Sequence, residues 1–338
     1  MASGSTITAT GMQTMTQVVA GTDLVEDTDF NNMQENIDRL LGTAQDITLG
    51  SGTGGSTYGW GQGGAGVADA TTGNTITRTG AGGFKDLQDD VQAMCAFLGV
   101  SLRTGVGADV TTSTTISATT WNNTMLNIRD CWNNRFAPST RTVGTVDSAT
   151  YTSAWGGLVN EAAHGSTAMN PETLTQVTTW TFTSEANCRA FFNMGGQLGV
   201  SASRSGGTTS DQNTQWTNKL SNLGDVYINA TTSGASAGTT SGKGFYELTT
   251  SNQQIVIYYG GANPYSNDYV QVNARVNSTT NPTQVIITTV MRDEDDNNSD
   301  ASVDGTMTVN ARRWVPDANG SGFTPPTASG SAGSISAS

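Results

Sequence analysis

The sequence predicts an α+β protein: short amphipathic helices in the N-terminal half, then a C-terminal antiparallel β-sandwich of jelly-roll-like kind. Three observations carry this. An aromatic residue followed by apolar residues three and seven positions later recurs through the first half. From about residue 175 onward, short runs rich in Thr, Val, Ile and Tyr alternate with Gly, Asn and Ser. The composition, 35% hydrophobic and only 13% charged over 338 residues, is polar without being charged. Such a composition suits strands and tight turns better than a disordered chain, which combines low hydrophobicity with high charge.

Residues 1–21 read as an N-terminal arm and 22–165 as a helical assembly region. The first helical copy is Phe30, Met33 and Ile37, continuing to Leu40 and Leu41. The second is Phe84, Leu87 and Val91, continuing to Met94 and Leu98. The third is Trp121, Ile128 and Cys131, with Met125 packing in place of Thr124. The fourth and weakest is Trp155, Leu158 and Ala162. Spacings of three and four put each set on one helical face. Thr and Asp at 27–29, 75–79 and 119–120 are the capping candidates, and Gly42 and Gly99 the stops. Helices this short are marginal alone. Phe30, Met33, Ile37, Phe84, Leu87, Val91, Trp121, Ile128 and Trp155 are therefore expected to pack on one another or across subunits. A Gly-rich insert at 50–66 carries Tyr58 and Trp60. Two aromatics are costly to leave in water, so their docking on a partner surface is expected.

The sandwich is expected over 166–316, with strands at 177–182, 196–203, 224–229, 254–259, 269–276, 284–292 and 305–315. Helical spacing interrupts them at 185–193 and at 214–223, where Trp216, Leu220 and Leu223 share a face. Residues 317–338 read as a low-complexity tail.

The net charge is −13, and Lys85, Lys219 and Lys243 are the only lysines. That excludes phosphate-binding patches, hence a nucleic-acid partner, and an anionic membrane surface. No apolar run reaches the ~18 residues of a membrane span. The first residues lack a basic stretch followed by an apolar one, so no signal peptide is expected. Cys95, Cys131 and Cys188 are odd in number and share no CxxC spacing; buried thiols are expected of Cys95 and Cys131.

Little in the sequence points to chemistry. His164 is the single histidine, which rules out two-histidine metal motifs and suggests a helix-end role. Gly-Lys-Gly at 242–244 lacks the spacing of a phosphate loop. The acidic run 293–300 offers oxygen ligands for calcium but lacks the Gly and terminal Glu of an EF-hand, so a solvated hairpin loop is expected. No spacing selects a carboxylate pair for glycoside hydrolysis. Tyr258, Tyr259, Tyr265 and Tyr269 suit either a sugar-stacking surface or strand packing. No catalytic residue, metal site or cofactor is assigned.

One stretch is distinctive. Phe191-Phe192-Asn193-Met194-Gly195-Gly196 leads into a run ending Ser201-Ala202-Ser203-Arg204. Trp216, Leu220 and Gly224 follow, then Gly-Phe-Tyr-x-Leu-Thr at 244–249, the acidic stretch 293–296 and Val-x-Gly-Thr-x-Thr at 303–308. In this order the phrases resemble a domain of tailed-phage virion structural proteins, cyanophage-type ones especially, often described as tail fibre. The resemblance covers about residues 176–315, and Phe30-Asn31-Asn32-Met33 and Trp121-Asn122-Asn123 look like helices of such proteins. The long Gly-rich insert departs from the pattern. The resemblance implies a non-enzymatic virion protein, assembled in the host cytoplasm, most simply an oligomeric fibre or tail appendage. Its expected partners are itself, as a homo-oligomer with a trimer the natural guess, and other virion proteins. Two other readings stay open: a host-attachment module that reads a surface glycan, and a capsid decoration or neck adaptor.

Overall fold

A computed structural model describes residues 5–9, 11–21, 25, 27–42, 59–62, 76–79, 83–156, 172–261, 265–294 and 302–338. The chain forms two compact units.

The first unit comprises Met1–Thr142, Arg189–Gly196 and Val315–Pro326. Its regular elements are a small antiparallel pair, β1 (Thr6–Ile7) and β2 (Met15–Thr16), and three helices: α1 (Asp27–Leu41), α2 (Phe84–Leu98) and α3 (Ala118–Asn133). The apolar stripes face one another, and Phe30, Met33, Ile37, Leu87, Val91, Met125 and Ile128 are all buried. Trp121 stacks on Phe84 at 5.3 Å and on Phe30 at 6.1 Å. Each large apolar side chain so buried contributes roughly 1.5–3 kcal/mol.

Asp27 and Asp29 in the first turn of α1 suit its dipole. Gly99 closes α2 in the left-handed region, φ 68°, with its N–H donating to Cys95 O. Two of the expected caps differ. Ser117, just before the expected Thr119 and Thr120, caps α3 by accepting from Thr120 N. The N-cap of α2 is Gly83, which has no side chain to offer. The main-chain carbonyls of Thr77 and Arg78 accept from Phe84 N and Lys85 N instead, satisfying donors that a helix leaves open at its start.

The second unit comprises Val143–Cys188, Gln197–Trp314 and Thr327–Ser338. It begins earlier than the expected boundary: β3 (Arg141–Tyr151) lies inside the stretch read as helical. Thr142, Val143, Thr145 and Val146 are β-branched and suit a strand, and no helical copy falls between Cys131 and Trp155. Next come β4 (Thr173–Thr181), helix α4 (Glu185–Asn193), β5 (Gln197–Ser205) and helix α5 (Asp211–Leu223). After them run β6 (Val226–Ile228), β7 (Ser233–Gly234), β8 (Thr239–Thr240), β9 (Gln253–Tyr259), β10 (Tyr269–Val276), β11 (Gln284–Arg292), β12 (Thr306–Pro316), β13 (Ser329–Ala332) and β14 (Ser336–Ala337).

They form two antiparallel, sandwich-like sheets. One has the order β13-β4-β11-β10-β9-β8, with β14 also on β4; the other is β3-β12-β5-β6-β7. The alternation read in the sequence holds, since Val270, Val272, Ala274 and Val276 of β10 are all buried. Helix α5 packs on β5 and reaches β9, burying Trp216, Leu220 and Leu223.

The expected fourth helix and the expected tail come out differently. Trp155 sits in an isolated bridge with Val303, their N–H and C=O groups exchanging bonds of 3.0 and 2.7 Å. Leu158, Ala162 and His164 lie outside the described residues. The end of the chain is paired: β13 and β14 lie along β4, from Ser329 against Thr181 to Ala337 against Leu174. Small residues suit this edge because Gly330 lies over the Trp180 ring, where a Cβ would come within 2.5 Å of a ring carbon.

Candidate functional site

The side chains expected to pack on one another or across subunits lie in the interior of this chain. Phe30, Met33, Ile37, Phe84, Leu87, Val91, Trp121 and Ile128 belong to one core, each 3% exposed or less. Trp155 is also buried, against Trp216 at 4.7 Å. Trp60 corrects the docking expectation most plainly, while Tyr58 lies outside the described residues. Its ring packs 4.9 Å from Phe97 and 5.6 Å from Phe323. Its Nε1 donates to Arg135 O at 3.2 Å and Asn193 O at 3.1 Å. A tryptophan with no surface left has none to offer a partner.

The phrases behind the resemblance have structural roles. Asn193 donates to Gly59 O, which fixes the segment carrying Trp60. A Cβ on Gly195 would meet Pro138 at 2.2 Å, and one on Gly196 would meet the Phe191 ring at 2.5 Å. Arg204 ties its strand to the start of β12: Nε donates to Asp304 O at 2.7 Å and Nη2 approaches Asp304 Oδ1 at 3.1 Å. Asp304 also accepts from Thr208 N and from the Asn213 amide. Its partial burial pushes the carboxyl pKa up, but these hydrogen bonds together outweigh it and hold the value below the usual range.

Two surfaces are open. Strand β3 ends its sheet, and among the described residues nothing pairs with its outer edge. Seven of its eleven residues are exposed, and Ala149 is the one buried residue of the strand. Val143 is 45% and Val146 39% exposed. The second surface is aromatic: Tyr259 on β9 is 55% exposed, its ring 5.5 Å from that of Tyr269. Tyr265 is buried and takes no part in it.

In the first unit an apolar groove of about 490 Å³ runs past Val18, Ile76, Ile116 and Trp121, with Arg78 in its wall tied to Thr112 O at 2.7 Å. Cys95 and Cys131 bring their sulfurs within 3.5 Å on facing helices. The hydrogen bond between the thiols lowers the Cys95 pKa and, with burial, raises that of Cys131 well above the usual thiol range.

The group that sequence reasoning missed is a buried charge cluster in the second unit. Lys219 of α5 and Asp268, just before β10, both have fully buried side chains, with Nζ 3.6 Å from Oδ2. Nζ donates to the main-chain O of Asp268 at 2.8 Å and sits 4.5 Å from the Trp216 ring centroid. Asp268 Oδ1 accepts from Glu294 N at 2.9 Å. Asp293, also buried, accepts from Gln212 Nε2 at 2.7 Å. The first carboxylate of the acidic run thus points inward, where a solvated loop was expected; 295–300 lie outside the described residues. The signal was present in the sequence, since Lys219 stands three after Trp216 and one before Leu220, on the apolar face of α5. Among the described residues no three His, Cys, Asp or Glu side chains gather as metal ligands.

No family model, curated protein or solved structure was found to match the chain.

Proposed function

We propose that the chain is a non-enzymatic structural component of a tailed-phage virion, an oligomeric fibre or tail-appendage protein. One observation carries the assembly part of this reading. Among the described residues strand β3 lies at an open sheet edge, with exposed Val143 and Val146 and no proline, and its mid-strand charge, Asp147, is engaged by Ala332 N. Isolated domains guard such edges with charge, proline or a cover, because an open edge is a template for another strand. A strand from a second subunit would pair there and cover both valines. The phrases shared with virion proteins support the rest, since they fall on α4, β5, α5 and the start of β12 and act in folding, as a structural domain requires.

Multi-angle light scattering on the full chain tests the reading, with Val143→Lys/Val146→Lys beside it. Both valines are exposed, so the variant retains the fold. An oligomer that the variant turns into a monomer supports the reading. A full-chain monomer sinks it in favour of a neck or decoration adaptor that docks on a different protein.

A second reading, recognition of a host-surface glycan, is favoured by the exposed Tyr259 beside Tyr269. It predicts sugar-dependent retention on host envelope that Tyr259→Ala abolishes.

A further inference from the structure

Lys219 and Asp268 come from different elements and meet with no exposed side-chain surface. Burying an ion pair removes hydration that its mutual attraction seldom repays. This pair also lacks good ion-pair geometry. Nζ spends a hydrogen bond on the Asp268 main-chain oxygen at 2.8 Å, while Oδ2, 3.6 Å from it, accepts none among the described residues. Oδ1, by contrast, is held by Glu294 N–H. A second buried carboxyl, Asp293, follows β11 directly and accepts from Gln212 Nε2 of the same helix α5. The Trp216 ring covers the amine. An amine, a carboxyl whose two oxygens are treated differently and an aromatic wall, all closed to solvent, are the parts needed for amide formation.

We propose that Lys219 and Asp268 condense to an intramolecular isopeptide bond that ties helix α5 to the start of β10. The step begins with proton transfer from Nζ to the Asp268 carboxylate, which gives an amine and a carboxylic acid and leaves no charge on either group. The Nζ lone pair attacks Cγ, at a separation the 3.6 Å contact leaves close to reacting distance. Negative charge develops on Oδ1, where the Glu294 N–H is already aimed. Oδ2 departs with the acid proton and one proton from nitrogen, so that one N–C bond forms, one C–O bond breaks and one water leaves. The proton on nitrogen passes directly to the leaving Oδ2, which shares the same carbon in the adduct. No oxidant, metal or activated intermediate is required.

The test is the mass of the intact, purified full chain, compared with that of Lys219→Met. The expected result is a wild-type chain lighter than its sequence by one water, with Lys219→Met and Asp268→Ala at their sequence masses. Trypsin should then fail to cut after Lys219 and release a branched peptide that joins residues 205–243 to 244–275. A wild-type chain at its full sequence mass, cut freely after Lys219, overturns the proposal without recourse to any variant. So does a loss of water that persists in Lys219→Met, which would mark a succinimide or another dehydration.

Discussion

Asn122 grips the backbone of Val18 with both ends of its amide: Oδ1 accepts from Val18 N at 2.8 Å and Nδ2 donates to Val18 O at 2.9 Å. The device repeats. Asn36 holds Gln13 N and O at 2.7 and 3.0 Å, and Asn127 takes Arg103 N and Ser101 O, both at 3.0 Å. Extended segments without a sheet partner thus pair with helix side chains, which satisfies backbone groups that burial would otherwise orphan. Asn122→Ala is expected to destabilise the first unit by about 1–3 kcal/mol, the cost of leaving buried polar groups unpaired. A shift of the urea midpoint at unchanged slope is the readout, and an unshifted midpoint would mean that water replaces the amide.

Trp60 offers a similar test on the residue expected to dock outward. Trp60→Phe keeps most of the ring but removes the Nε1 donor that Arg135 O and Asn193 O share. The expected loss is about 1–3 kcal/mol, from two acceptors left without their donor. Oligomeric state should not change, because the ring faces no partner.

Gly330 tests whether the C-terminal pairing contributes to stability. A methyl there would lie 2.5 Å from Trp180 Cζ3 and 2.8 Å from Cε3. Trp180 is fully buried, with no room to turn away. Gly330→Ala should destabilise by about 1–3 kcal/mol through overpacking and speed exchange of the β4 amides facing β13. Gly320→Ala is no simple control, since its φ of 74° strains any side chain; Ser331→Ala, one residue on, is the better one.

Asp304 sets an acid limit. Its pKa is lower in the folded chain than in the unfolded one. The stabilisation is therefore present above the ordinary carboxylate value and is lost as pH falls through the lower, folded value. Wild type should lose stability below about pH 4. Asp304→Asn should be weaker than wild type at neutral pH, with a shallower acid decline. Urea midpoints measured from pH 7 to pH 3 distinguish these outcomes, and parallel curves would remove Asp304 from the account.

Much of the strand plan was legible. The ranges 269–276 and 284–292 coincide with β10 and β11, and 185–193 with α4, because alternation and flanking Gly or Asn are local signals. Where a partner distant in sequence decides the outcome, reading failed. Trp155 shows helical spacing, yet its backbone bridges Val303. The Ser- and Gly-rich end resembles a tail until Trp180 supplies the surface that needs small residues. Trp60 suggests docking on a partner surface because its Gly-rich surroundings show no partner within the chain, yet its pocket is built by Phe97, Arg135, Asn193 and Phe323. Lys219 was the readable clue left unread, a cation on an apolar helix face.

The placement of β4 orders the folding of its sheet. Thr181 has Gln284 on one side and Ser329 on the other, so both flanks of β4 wait for chain made long after it. During synthesis β4 has two open edges and a bare tryptophan, and closing such distant pairs is slow. The nascent chain therefore passes through a window in which this strand is its most adhesive segment. Crowding many ribosomes onto one message would bring such strands together before either neighbour exists, which makes chaperone capture or rapid translation across residues 182–283 a condition for good yield.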